Sequence, residues 1–246
     1  MRRLILSDIH GNAEALEAVL ADAGGSYSEV VCCGDLVGYG ASPREVAGWA
    51  RDNAAAIVRG NHDRVCAGLD DDTWFNDAAR QAVAWTRAQL SPADLDWLRN
   101  LPAGPLEFDG YTLAHGSPDD EDDYLVDEYD VAHLDALLSQ PLCFVGHTHL
   151  QRGWSWTGPG LDRLSPPEAG AREQVFNLEP GVRYLINPGS VGQPRDHDPR
   201  AAYALWDSAA ATLALRRVEY DVASAQRRIR NAGLPNWLAE RLTTGR

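Results

Sequence analysis

Five short apolar runs in the first 150 residues all stop on the same kind of polar group. LIL (4–6) leads to Asp8 and His10, VVCC (30–33) to Gly34 and Asp35, and AIV (56–58) to Arg59 and then Gly60-Asn61-His62-Asp63. YTLA (111–114) leads to His115 and Gly116, and LCFV (142–145) to Gly146-His147-Thr148-His149. Apolar runs of this length, bounded by turn residues, read as buried strands. If they share a sheet, their ends converge on one crevice, which is where α/β sheets place their ligands. The adjoining glycines fit places where the backbone must turn or approach something closely.

Between these runs the spacing is helical. Ala13, Leu16, Val19, Leu20 and Ala23 line one face of a first helix. Ser42, Pro43 and Glu45 predict a second helix opened by a capping box. A longer helix is expected over 73–90, a further start at Ser91-Pro92 with Asp94 three residues on, and an amphipathic segment over 131–139. Beyond residue 150, QVFNL, VRYLIN, AAYALW and TLALRRVEY alternate or run apolar with turns such as EPG between them, so hairpins are expected. The Gly- and Pro-rich stretch 157–170 reads as a surface loop. A terminal helix should run from near Asp221 to before Gly233, with Arg227, Arg228 and Arg230 towards its C-terminal end, where cations suit the dipole. No internal repeat or linker interrupts this order, so one layered α/β domain over 1–246 is expected.

Composition narrows the chemistry. The 246 residues are 44% hydrophobic with eight Trp, ample for a core, and carry a formal net charge of -14. Such an acidic chain is a poor partner for duplex nucleic acid, whose binding rests on neutralising phosphates. All 22 basic residues are Arg. Without Lys there is no Walker A loop and no Schiff-base or pyridoxal chemistry. Cys32, Cys33, Cys66 and Cys143 show no metal or disulfide spacing. Neither a signal h-region nor an apolar run of membrane-spanning length occurs, so a cytoplasmic location with no membrane contact is expected.

The polar ends look like ligands. Asp8 and His10, and again His147 and His149, stand two apart, which on extended chain puts both members on one side. With Asp35, Asn61 and His115 they make seven candidate donors, more than one ion uses. Mixed N and O donors without thiolate suit two first-row divalent ions, and so many imidazoles disfavour Mg²⁺.

Together D-I-H (8–10), G-D (34–35), G-N-H-D (60–63), H-G (115–116) and G-H-T-H (146–149) resemble the signature of the calcineurin-like metallophosphoesterase superfamily. INPGSVGQPRD (186–196) is similar to its small bacterial and archaeal phosphodiesterase-like branch. The resemblance implies a four-layer α/β/β/α sandwich of two mixed sheets with a dinuclear metal site at the strand ends. It implies that Asp8, His10 and His149 bind one ion, that Asn61, His115 and His147 bind the other, and that Asp35 bridges them. The ions would be Mn, Fe, Ni or Zn. A hydroxide between two ions about 3.5–4 Å apart would attack phosphorus, with His62 as general acid and Asp63 orienting its ring.

The substrate expected is a small phosphate ester, a phosphodiester or a nucleotide or dinucleoside polyphosphate. The G-D-x-x-D-R-G run of protein phosphatases is absent, since Gly34-Asp35-Leu36-Val37-Gly38-Tyr39-Gly40 stands in its place. Arg59, Arg64 and Arg195 are candidates for holding phosphate, and Tyr39 for stacking on a base. The acidic run 118–130 reads as a solvated loop or as a rim that repels long polyanions. Alternatives left open are a phosphomonoesterase or protein phosphatase, a nuclease, and a catalytically weak metal-binding scaffold for other proteins. Homo-oligomer formation is also open.

Overall fold

In the computed structural model, which describes residues 1–158 and 160–246, all five apolar runs are strands, but they divide between two sheets. The first sheet holds β1 (Arg2–Leu6), β2 (Glu29–Cys32), β3 (Ala56–Ile57), β9 (Glu173–Asn177), β11 (Ala201–Asp207) and β12 (Thr212–Val218). Its order is β3-β2-β1-β11-β12-β9. The second holds β4 (Leu106–Phe108), β5 (Tyr111–Leu113), β6 (Leu142–Phe144), β7 (Arg152–Thr157), β8 (Gly160–Leu164) and β10 (Arg183–Asn187), in the order β4-β5-β6-β10-β7-β8. Both are mixed: β1, β2 and β3 are parallel, as are β5, β6 and β10, while hairpin partners run antiparallel.

Strand alternation sorts the apolar side chains into layers. Leu4 and Leu6 of β1 face α1 (Ala13–Ala23) and α2 (Pro43–Asn53), packing on Leu16, Val19, Val46 and Ala50. Ile5 between them faces the second sheet and joins Leu113, Phe144, Ile186 and Trp206. The outer face of the second sheet presents Cys143, Val145 and Leu185 to Leu125, to Val131 of α6 (Glu128–Val131) and to Leu134 of a 3₁₀ turn. The remaining helices are α3 (Asn61–Cys66), α4 (Asp77–Gln89), α5 (Pro92–Arg99), α7 (Val222–Asn231) and α8 (Asn236–Glu240). The result is a four-layer α/β/β/α sandwich. No described helix is long and apolar enough to cross a membrane.

Several local expectations are corrected. The EPG turn does not make a hairpin, because β9 pairs with β12 while β10 lies between β6 and β7. Phe176 and Ile186 both face the inter-sheet core, so the chain crosses between sheets instead of doubling back. Within 157–170, Gly160–Leu164 is a strand hairpinned to β7, and Pro159 lies outside the described residues. Ser42 precedes α2 without capping it. Arg228 Nη1 donates to Ser42 Oγ and to the Glu45 carboxylate, diverting both groups towards α7. The helix expected from 73 begins at Asp77, after an Asn76 side-chain cap. Strands β4 and β7 and helices α3 and α8 had no expectation.

Candidate metal centre

The C-terminal ends of β1, β2 and β3 meet those of β5 and β6, so each sheet contributes donors to one crevice. The loops there are sharply bent. Asp8, His10, Asp35, Tyr39, His147 and His149 all adopt φ between 49° and 66°. Left-handed backbone costs a non-glycine residue on the order of 1 kcal/mol, and the surrounding packing holds all six in it. The expectation of extended chain at Asp8 and His10, and at His147 and His149, is thereby corrected. The bent backbone sends His147 to His115 and His149 to His10, each ring pair 4.8 Å apart between centroids. Close approach explains two glycines: a Cβ at Gly60 would lie 2.0 Å from Asp35 Oδ1, and one at Gly146 2.0 Å from Ser7 Oγ.

The donors form two groups that share a member: Asp8, His10, Asp35 and His149, and Asp35, His115 and His147. Asp35 Oδ1 accepts from the His62 N–H at 2.9 Å, while its Oδ2 lies 3.4 Å from His10 Nε2 and 3.6 Å from His115 Nε2. Asn61 Oδ1 stands 3.2 Å from His115 Nε2. Asp8 Oδ1 accepts from the His147 N–H, and Oδ2 from Ser7 Oγ.

Tautomers decide whether cations fit. His10 Nδ1 donates to the Val37 carbonyl at 3.1 Å, His149 Nδ1 to that of Gln193 at 2.6 Å, and His115 Nδ1 to that of Cys33 at 2.7 Å. A carbonyl only accepts, so each Nδ1 carries the proton and each Nε2 presents a lone pair. Yet His10 Nε2 and His149 Nε2 point at one another across 3.1 Å. Burial holds the pKa of both rings well below the ordinary value, so neither has a spare proton to share. Burial also pushes the Asp8 carboxyl up to about 7 and lifts that of Asp35, where Asp63 adds to the rise. Lone pairs facing lone pairs beside buried carboxylates suit cations, which reverse this local electrostatic penalty. Backbone carbonyls that fix the tautomer are the usual outer support of imidazole ligands.

The remaining candidates separate. Asp63 does not orient His62. Its carboxylate accepts from the N–H groups of Leu36, Val37 and Gly60, pinning the turn that carries Asp35. Neighbouring positions on a helix point in different directions, which keeps the two side chains apart. His62 Nδ1 has no partner and abuts Gly38, while Tyr39 and Phe75 pack on the ring at 4.4 and 4.5 Å. Arg59 and Arg64 are not free to hold phosphate, because Glu121 pairs with both and Asp122 with Arg64. Arg195 is free of carboxylates: it donates to Tyr124 and Gln193, and its Nε has no partner. With His62 and Tyr39 it lines a crevice of about 150 Å³ over the donor cluster. A larger cavity of about 750 Å³ lies around Arg3, Phe108 and Trp206, and it contains none of the donors.

Four contributors escaped the sequence reading. Phe75 braces His62 from a stretch that looked helical. Tyr124, the first aromatic in the acidic run, meets the edge of His147 at 4.9 Å. Ser190 Oγ donates to the Asp8 carbonyl, and the Gln193 carbonyl holds His149. The only local signal for the last two was the Gly-flanked INPGSVGQ segment itself.

Known proteins are similar to this chain along its length. The model of the calcineurin-like phosphoesterase superfamily domain matches residues 1–210. The crystal structure of a metallophosphoesterase from Sphaerobacter thermophilus aligns with a TM-score of 0.88 at 39% identity, covering 100% of this chain and 99% of the other. An uncharacterized protein of Methanocaldococcus jannaschii is 36% identical over 250 residues, 98% of this chain and 97% of its own length. A hypothetical protein of Pyrococcus horikoshii shares the fold at a TM-score of 0.78 and 20% identity, over 100% of this chain and 98% of that one. Donors that call for cations, set in a frame shared end to end with such relatives, place the chain in its family: it belongs to the calcineurin-like phosphoesterase superfamily.

Proposed function

We propose that the protein hydrolyses small phosphate esters with two divalent transition-metal ions. Asp8, His10, Asp35 and His149 would hold one ion, and Asp35, Asn61, His115 and His147 the other, with Asp35 Oδ2 between the two sets. Bound there, such ions supply polarisation of the phosphoryl oxygens and activation of water. The observation that carries the reading is the pair of facing Nε2 lone pairs, His10 and His149, under a crevice that also presents His62 and Arg195.

The chain's own residues supply the rest. Arg195, free of carboxylates and lining the crevice, offers its guanidinium to a phosphate oxygen. His62 is held by packing, with Nδ1 against Gly38, so Nε2 is the nitrogen left for substrate. Burial lowers its pKa well below the ordinary value. A phosphate anion arriving beside it favours the charged ring, so the proton is loaded as substrate binds and can pass to the leaving oxygen.

The test is a hydrolysis panel on protein reconstituted separately with Mn²⁺, Fe²⁺, Ni²⁺ and Zn²⁺. An aryl phosphomonoester, an aryl phosphodiester and a dinucleoside polyphosphate are compared. Metal-dependent turnover of at least one is expected. Inactivity towards all three with every metal would shift the assignment to a binding scaffold.

A further inference from the structure

The crevice over the donor cluster adjoins a second cavity of about 410 Å³, and Asn61, Trp74, Phe75 and His147 stand in the walls of both. An ester whose phosphorus sits at the cluster therefore projects a substituent into this basin. Two features of its wall select that substituent.

The first is Trp74, which is 93% exposed. The indole itself is bare, while the chain on either side of it is held. Asp71 accepts from the N–H and the hydroxyl of Thr73, Phe75 packs on His62, and Asn76 caps α4. A bare indole between anchored residues, at the junction of two cavities, offers a face to a flat ring.

The second is charge. Asp70, Asp71 and Asp122 line the basin with a single cation, Arg64. That guanidinium is already engaged by Asp70 at 3.1 Å and Asp122 at 2.8 Å, and by Glu121. The chain has no Lys to add. A second phosphate in the basin would meet carboxylates and no free cation, whereas hydroxyl and amino groups would find acceptors. Of the two arginines lining the joined cavities, only Arg195 lacks a carboxylate partner, and it sits on the crevice side. The charge layout suits one phosphate.

Building on the phosphoesterase reading above, we propose that the basin is the leaving-group pocket. It takes an uncharged planar group, an aryl ring or a nucleoside, so that diesters of a single phosphate are hydrolysed in preference to polyphosphate chains.

Metal-loaded protein is assayed on bis(nitrophenyl) phosphate and on a dinucleoside tetraphosphate. In parallel, a nucleoside monophosphate is titrated against the intrinsic fluorescence of wild type and Trp74→Phe. The diester is expected to have the higher kcat/KM. Trp74→Ala should raise its KM about ten-fold with little change in kcat, and Trp74→Phe should recover most of the loss, as stacking requires. Asp71→Asn should narrow the gap between the two substrates about five-fold by removing one like charge. The nucleotide should quench wild-type emission saturably and quench Trp74→Phe clearly less. A higher kcat/KM for the tetraphosphate, or an unchanged diester KM in Trp74→Ala, overturns the proposal. Hydrolysis of neither substrate by any metal form, with an aryl phosphomonoester also left intact, would instead overturn the phosphoesterase reading. The titration then decides the basin alone: quenching that depends on Trp74 supports an aromatic pocket, and equal quenching in both proteins rejects it.

Discussion

His62 and Asp63 are adjacent in sequence and do unrelated work. His62 faces the crevice and is braced by Tyr39 and Phe75, whereas Asp63 turns inward to three backbone N–H groups. Replacing His62 by Ala should leave metal binding intact and cut turnover at least about ten-fold, within the range of general acid catalysis; metal titration and steady-state kinetics check both halves. Replacing Asp63 by Ala strands three buried donors and should destabilise the protein by on the order of 3 kcal/mol. It should also weaken metal binding, because the turn that presents Asp35 loosens. A melt unchanged from wild type, with only a shifted pH–rate profile, would return Asp63 to the side of His62. That distinction was not legible in GNHD. The sequence brings out which residues are chemically able, but the rotation of a short helix decides where each one points. The donors were more legible, because Asp, Asn and His beside Gly at strand ends have few other reasons to recur.

At the level of elements, the acidic run is neither a loose loop nor a free rim. Residues 117–124 form a strap tied to α3 and its approach: Ser117 holds Asp123, Glu121 holds Arg59 and Arg64, and Tyr124 holds Arg195. Burial would raise the Glu121 carboxyl, but the two guanidiniums outweigh it and hold the pKa below the ordinary value. A depressed carboxylate contributes stability above its unfolded pKa, near ~4.3, and loses that contribution as pH falls through the lower folded value. Glu121→Gln should therefore lower stability at neutral pH by about 1 kcal/mol, and the difference in Tm from wild type should shrink to nothing in acid. An equal difference at all pH values would mean that the strap is held by packing. Partner choice is what the sequence concealed here, as it did for β9 and β10. Periodicity identifies a strand and charge identifies an acidic run, but neither says which sheet or which arginine, tens of residues away, will receive it.

For the whole molecule, the two sheets meet through the donors as well as through the Ile5–Phe144–Trp206 core. Each ion present at ~1,000 times its Kd would add about 4 kcal/mol. Chelation should then lower the Tm by on the order of 10 °C for a chain of this size, reversibly on adding Mn²⁺ or Zn²⁺ back; a melt indifferent to chelator would deny the donors any such load.

The strand order also sets when this site can exist. All seven donors have been synthesised once His149 is made, but β1 must still wait for β11 and β6 for β10. The clamps on the Asp8 carbonyl and the His149 ring, Ser190 and Gln193, emerge later still than β6. A chain grown only as far as His149 thus carries every donor, with β1, β2, β3, β5 and β6 already made, but lacks the strands and the two clamps that complete the frame. Any ion that needs the full donor set would accordingly be held only after these last segments have closed onto the first strands.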